Sequence, residues 1–235
     1  MSRRRVHVVE AGRVPYDRAL DWQRTLAQAR IDGRLEHDVL LLLEHPPVVT
    51  LGRTAREAHV LRSDGLDVVA VERGGDVTFH GPGQLVGYPI FDLRAPPYRQ
   101  DLHWYLRTLE AALIVALAEL GIPAERHAGY TGVWTRGGRK IASIGIHVKQ
   151  WVTWHGFALN VTTDLAQFDR IIPCGIPEVE MTSVERERGK GKGERDLWDA
   201  AVAAVIHGFA STFNVEVTTS RTGVTEMRVT GAAAY

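Results

Sequence analysis

Three stretches of the chain repeat apolar side chains at three- and four-residue intervals, the spacing of one helix face. Ala19, Trp22, Leu26 and Ala29 make the first, entered through Pro15, which suits a first helical turn, and ending near Gly33. Leu102, Leu106, Leu109, Leu113, Leu117 and Leu120 make a longer stripe, with Asp101 at its start and Gly121 placed to stop it. The third, Trp198, Val202, Val205 and Phe209, follows Asp196 and runs out near Asn214. Between them lie strand signals. Val39 to Leu43 is a continuous apolar run that suits a buried strand, and Val48 to Leu51 follows the break at Pro46-Pro47. Further strands are predicted at Leu66 to Glu72, Leu85 to Phe91, Lys140 to Lys149 and Trp151 to Val161, the last two as neighbours.

Helices set among short strands without regular β-α-β alternation predict an α+β fold: one domain over residues 1–235, with a mixed, mostly antiparallel sheet flanked by helices. The glycine-rich run from Arg186 to Arg195 (RERGKGKGER) reads as a flexible surface loop, and the tail from Val215 carries no signal.

Composition narrows the function. With 28 basic and 28 acidic residues the chain has no global field to hold nucleic acid or an anionic membrane, so neither is expected as a partner. One cysteine cannot form an intramolecular disulfide, which fits a reducing compartment. Arg3, Arg4 and Arg5 run into Val6-His7-Val8-Val9 without the pattern of a signal peptide, and no apolar run is long enough to span a bilayer. A cytoplasmic, soluble protein is expected.

The cysteine, Cys174, lies in Ile171-Ile172-Pro173-Cys174-Gly175-Ile176-Pro177, where two prolines and a glycine favour a tight turn that can present the thiol to a cavity. Most free cysteines are small buried hydrophobes. A nucleophile needs a nearby cation or base, because a thiol with a pKa of about 8.5 is mostly protonated at neutral pH. Lys140, at the head of Ile141 to Ile146, is one candidate if it is desolvated, and an ordinary turn residue if it is not. His80, His147 and His155 are the candidate imidazoles. His80 ends Arg73-Gly74-Gly75-Asp76-Val77-Thr78-Phe79-His80, which continues into Gly81-Pro82-Gly83-Gln84. So much glycine among polar residues points to close approach of main chain to a ligand or another strand. The stretch lacks a phosphate-loop ending, and the histidines and single cysteine have no metal-ligand spacing, so neither metal nor cofactor is expected.

Taken together, RGGDVTFHGPGQLVGYPI (Arg73 to Ile90), GRKIASIGIHV (Gly138 to Val148), HGFALNV (His155 to Val161) and IPCGI (Ile172 to Ile176) resemble the octanoyltransferases of lipoate synthesis, and LLLEHPPVVTLGR (Leu41 to Arg53) extends the likeness over nearly the whole chain. The resemblance implies a fold related to the biotin and lipoate protein ligases. It implies transfer of an octanoyl group from octanoyl-acyl carrier protein, through a thioester on Cys174 activated by Lys140, to a lysine of a lipoyl domain. The acceptors it implies are the lipoyl domains of 2-oxoacid dehydrogenases and the glycine cleavage H protein. It also implies an acyl site bordered by Arg73, Gly74, Gly75, Asp76, Val77, Thr78, Phe79 and His80, by Ser143, Ile144 and Gly145, and by Gly156, Phe157 and Ala158. Phe79, Ile144, Ile146, Phe157 and Leu159 are candidate liners of the acyl slot. Rival readings are an ATP-dependent lipoate or biotin protein ligase, a non-catalytic module that binds acyl carrier protein, and a cysteine hydrolase using His80 or His147 as base.

Overall fold

The computed structural model describes residues 3–189 and 193–221. The elements run β1 (Arg4–Arg13), α1 (Tyr16–Ile31), β2 (Asp38–Glu44), β3 (Val48–Leu51), β4 (Asp67–Ala70), β5 (Val77–His80), β6 (Gln84–Ile90) and α2 (Leu102–Glu119). They continue with β7 (Ala124–Glu125), β8 (Val133–Thr135), β9 (Lys140–Lys149), β10 (Val152–Asn160), α3 (Val184–Arg188), α4 (Glu194–Phe213) and β11 (Val215–Ser220). Eight strands form one sheet in the order β11-β1-β2-β6-β10-β9-β8-β7, and β4-β3-β5 form a smaller one. In the large sheet only the β11–β1 and β1–β2 pairings are parallel, so the architecture is α+β with a mixed, mostly antiparallel sheet.

The apolar run of β2 is continuous because both its faces are covered. Leu40 and Leu42 pack with Leu109, Leu113 and Phe209 beneath α2 and α4, whereas Val39, Leu41 and Leu43 pack with Leu26, Ala27 and Ala29 of α1. Successive strand residues point to opposite faces, so two helical layers consume both sets. Asp101 caps α2 as its position suggests, its carboxylate accepting the N–H groups of His103 and Trp104. Among the described residues no helix is long and apolar enough to cross a membrane.

Two expectations change. The charged run after Arg186 is helical at both ends: Ser183 caps α3 by accepting the Arg186 N–H, and α4 starts at Glu194, two residues ahead of Asp196. Residues 190–192 of that run lie outside the described residues. The segment from Val215 is not featureless but an edge strand, paired in parallel from Arg4↔Val215 to Val9↔Ser220.

Candidate active site

Strands β9 and β10 pair from Val152↔Lys149 to Leu159↔Ala142, which sets Ala158 beside Ser143, Phe157 beside Ile144, Gly156 beside Gly145 and His155 beside Ile146. Close packing fixes this wall. A methyl group at Gly156 would stand 2.2 Å from the Gly87 carbonyl oxygen of β6, and one at Gly87 would stand 2.1 Å from the Phe157 ring. Backbone cannot yield as a flexible side chain does, so Gly156→Ala is expected to lower unfolding free energy by about 1–3 kcal/mol, measurable by urea titration.

The loop before β5 closes over this wall. Gly74 donates its N–H to the Ile146 carbonyl at 2.8 Å, and the Gly52 and Thr54 N–H groups bond to the carbonyls of Asp76 and Gly75. Arg73, 8% exposed, donates to the Gly74 carbonyl and to both oxygens of Thr50. Burial pushes its pKa down from the usual guanidinium value.

Cys174 sits on a single 3-10 turn, Pro173–Gly175, with φ of 57° at Cys174 and 66° at Gly175. A non-glycine residue held there costs on the order of 1–3 kcal/mol and persists only where its surroundings over-determine it. Here they do. Gly175 and Ile176 donate to the carbonyls of Ile172 and Pro173, Ile172 donates to the His59 carbonyl, and Val60 bridges to Ile171. The main chain after the turn passes beside the start of β9, where Lys140 donates its N–H to the Glu180 carbonyl and accepts the Thr182 N–H.

That path brings the two residues together. Lys140 Nζ lies 3.1 Å from Cys174 Sγ, and Ser143 Oγ lies 3.7 Å from the same sulfur. Lys140 is fully buried, its ammonium 4.9 Å from the Trp134 ring centroid, and no carboxylate pairs with it among the described residues. Burial alone would raise the thiol's pKa; the Lys140 charge and hydrogen bond, the Ser143 hydroxyl and the Arg73 charge outweigh it and hold the thiol below its ordinary value. Cys174 as a residue is half-buried, in contrast to the fully buried Lys140.

Lys140, Ser143, Cys174 and Arg73 line one cavity of about 210 Å³. That is small beside the roughly 300–1,000 Å³ of clefts for drug-sized ligands, and suits a slim chain. Of the residues singled out in the sequence, Arg73, Gly75, Asp76, Thr78, His80, Ser143, Ile144, Gly145, Gly156, Phe157, Ala158, Lys140 and Cys174 line it. Gly74, Val77 and Phe79 do not. Thr78 and His80 alternate along β5 with Val77 and Phe79, which point to the opposite face and pack with Val49, Phe168 and Met181. Leu159 is likewise fully buried core, and Ile146 packs against that core from outside.

Sequence reasoning missed Tyr16, Tyr88, Ile176 and the Gly129-Tyr130-Thr131 segment as liners. Tyr88, which lines the cavity, belongs to a buried polar group with His45 behind it. His45 donates Nδ1–H to the Val14 carbonyl, which leaves Nε2 to accept the Tyr88 hydroxyl at 2.7 Å, and burial lowers its pKa to about 4. His80 donates Nδ1–H to Gln84 Oε1, and His147 bonds to the Glu72 carbonyl, so neither imidazole is hydrogen-bonded to the thiol. His155 is held at φ of 54° within β10, its ring 1% exposed. Outside the cavity, Arg139 is paired with Glu187 and Arg186 with Glu180.

The match to known proteins follows the geometry. Residues 15–218 match the lipoyl protein ligase A/B catalytic domain, the class to which fold and site belong. Lipoate-protein ligase A bound with ATP superposes with a TM-score of 0.74 over 97% of this chain and 92% of that one, at 17% identity. A bipartite lipoate protein ligase from Thermoplasma acidophilum gives 0.71 over 97% and 91%, at 16% identity. Within that class, the octanoyltransferase of Gloeobacter violaceus is 60% identical over 170 residues, 72% of this chain and 75% of that protein. The octanoyltransferase of Acidobacterium capsulatum is 49% identical over 198 residues, 77% and 80% respectively. The chain belongs to the octanoyltransferase family and is an acyltransferase.

Proposed function

We propose that this protein moves an octanoyl group from octanoyl-acyl carrier protein onto Cys174, and from there onto a lysine amine of a lipoyl domain. The observation that carries the reading is the 3.1 Å contact between the fully buried Lys140 ammonium and the Cys174 sulfur, both residues lining one narrow cavity.

The thiolate attacks the acyl carbonyl carbon, and the bond to the donor's sulfur breaks. The departing thiolate takes a proton from Lys140, leaving a neutral amine beside the thioester. In the second half, neutral Lys140 removes one proton from the acceptor ammonium, the freed amine attacks the thioester, and Cys174 leaves as thiolate. The nitrogen releases its second proton to solvent, and the ammonium–thiolate pair is restored. Thioester exchange is close to isoenergetic and amide formation from a thioester is downhill, so ATP has no role in the scheme.

The acyl chain has room along β9 and β10. Along β10, from Ala158, paired with the Ser143 that lies beside the sulfur, to His155 is three residues, about 10 Å at strand rise. Each buried CH₂ contributes about 0.8 kcal/mol, so a chain that fills this length is held mainly by its tail. The N–H groups of Gly175 and Ile176 are spent within their own turn, which removes two donors that a cysteine loop otherwise offers a developing oxyanion.

Intact-protein mass spectrometry after mixing with octanoyl-acyl carrier protein is expected to show one octanoyl increment on Cys174 without ATP. Absence of that increment, or an absolute requirement for ATP, would overturn the reading in favour of a ligase.

A further inference from the structure

The acceptor is a protonated amine, and the cavity that must receive it is lined by two cationic side chains, Arg73 and Lys140. Among the described residues lining the cavity, Asp76 is the only carboxylate. Its Oδ1 accepts the Val77 N–H at 2.7 Å and its Oδ2 accepts His59 Nδ1–H at 2.8 Å. Both oxygens keep lone-pair capacity, since an ionised carboxylate offers about four acceptor sites. The carboxylate also stands directly against the nucleophile's turn: a methyl group at Gly175 would lie 2.5 Å from Asp76 Oδ2. His59 reaches the same place twice, its ring on Asp76 and its carbonyl on the Ile172 N–H.

We propose that Asp76, oriented by His59, is the recognition site for the acceptor lysine: it receives the ε-ammonium at the acyl-enzyme and aligns it for deprotonation and attack. This inference rests on the reading of the protein as an octanoyltransferase with an amine acceptor. The charge balance of the two half-reactions favours it. Before acylation the cavity holds the Cys174 thiolate and Asp76 against Lys140 and Arg73. After acylation the thiolate is consumed and the Lys140 proton has left with the donor thiol, so Asp76 is the remaining anion when the cation arrives. His59 is a positioning residue: bonded to one carboxylate oxygen, it fixes the rotamer that faces the turn.

The test separates the half-reactions. Octanoyl loading of Cys174 is timed by intact mass, and the isolated octanoyl-enzyme is then chased with an unmodified lipoyl domain or with hydroxylamine, a nucleophile that is uncharged at neutral pH. Asp76→Asn keeps the shape and loses the charge. It is expected to impair transfer to the lipoyl-domain lysine about tenfold more than it impairs loading or the hydroxylamine reaction, the difference appearing as a raised half-saturating lipoyl-domain concentration. Asp76→Glu, which keeps the charge, should restore part of that loss, and His59→Gln should show a smaller loss of the same kind. Equal slowing of loading, hydroxylamine and lysine reactions would overturn the proposal and leave Asp76 as a support for the cysteine turn. Unchanged lysine transfer would overturn it outright. Failure of the wild-type enzyme to form the octanoyl adduct would instead strike the proposed function itself, so the two failures are distinguishable.

Discussion

Cys174→Ser is expected to lower octanoyl transfer by at least about 10³-fold, with no octanoyl-enzyme detectable by mass. The substitution is close to isosteric, so the 3-10 turn and its hydrogen bonds to Ile172, Pro173 and His59 should persist. What changes is acidity. Lys140, Ser143 and Arg73 together depress a thiol, which starts only slightly above neutrality. The same groups cannot ionise an alcohol at neutral pH, so the oxygen remains a poor nucleophile in an unaltered cavity. A melting curve that overlays the wild type, beside lost transfer, assigns the defect to chemistry rather than folding. Retained transfer in the serine variant would mean that the acceptor amine attacks the donor directly, and the thioester scheme would fall.

The helices were readable because their evidence is local. The Leu102 to Leu120 stripe, its Asp101 cap and Gly121 all lie on one continuous segment, and α2 follows them closely. β11 was not readable because it is defined by a partner more than 200 positions away, and its polar residues have an edge strand's composition. The candidate site divides in the same way. The glycine and polar cluster from Arg73 to His80 signalled close approach of main chain, and Gly74 does lie against Ile146. Which of its side chains reach the cavity depended on strand phase, and β5 is buried on both faces, so apolar and polar positions there gave no direction. His59 and Asp76 are 17 positions apart and share no recognisable spacing. Tyr16 enters the cavity from the first residue of α1, an element predicted from its helical stripe and Pro15, neither of which marks a cavity liner. Cys174 and Lys140 were joined by family resemblance and not by periodicity. The physical link is the strand-like passage of residues 180–182 beside Lys140, which carries the preceding turn over the ammonium.

Lys140→Met is expected to reduce transfer by about 10²–10⁴-fold while leaving the protein as stable as the wild type, or more so, near neutral pH. Methionine preserves much of the volume beneath Trp134 and removes a buried charge that has no carboxylate partner among the described residues. Cys174 then loses the largest influence that lowers its pKa, and burial, which raises it, is opposed by the Ser143 hydrogen bond and the Arg73 charge alone. Alkylation by iodoacetamide, followed across pH, should therefore reach half its maximal rate at higher pH in the variant than in the wild type. The sign of the stability effect follows from linkage. The folded thiol's pKa is depressed below the unfolded value of about 8.5, so between these two values the unfolded chain binds more protons and stability rises with pH. The contribution is complete above the unfolded value and is lost as pH falls through the folded one. Wild-type stability relative to Lys140→Met should accordingly fall as pH is lowered across that window, because the ammonium is left buried beside a neutral thiol. Urea titrations of both proteins across the window measure this difference. A pH-independent difference, or an alkylation midpoint that does not move, would show that Lys140 does not govern the charge on Cys174.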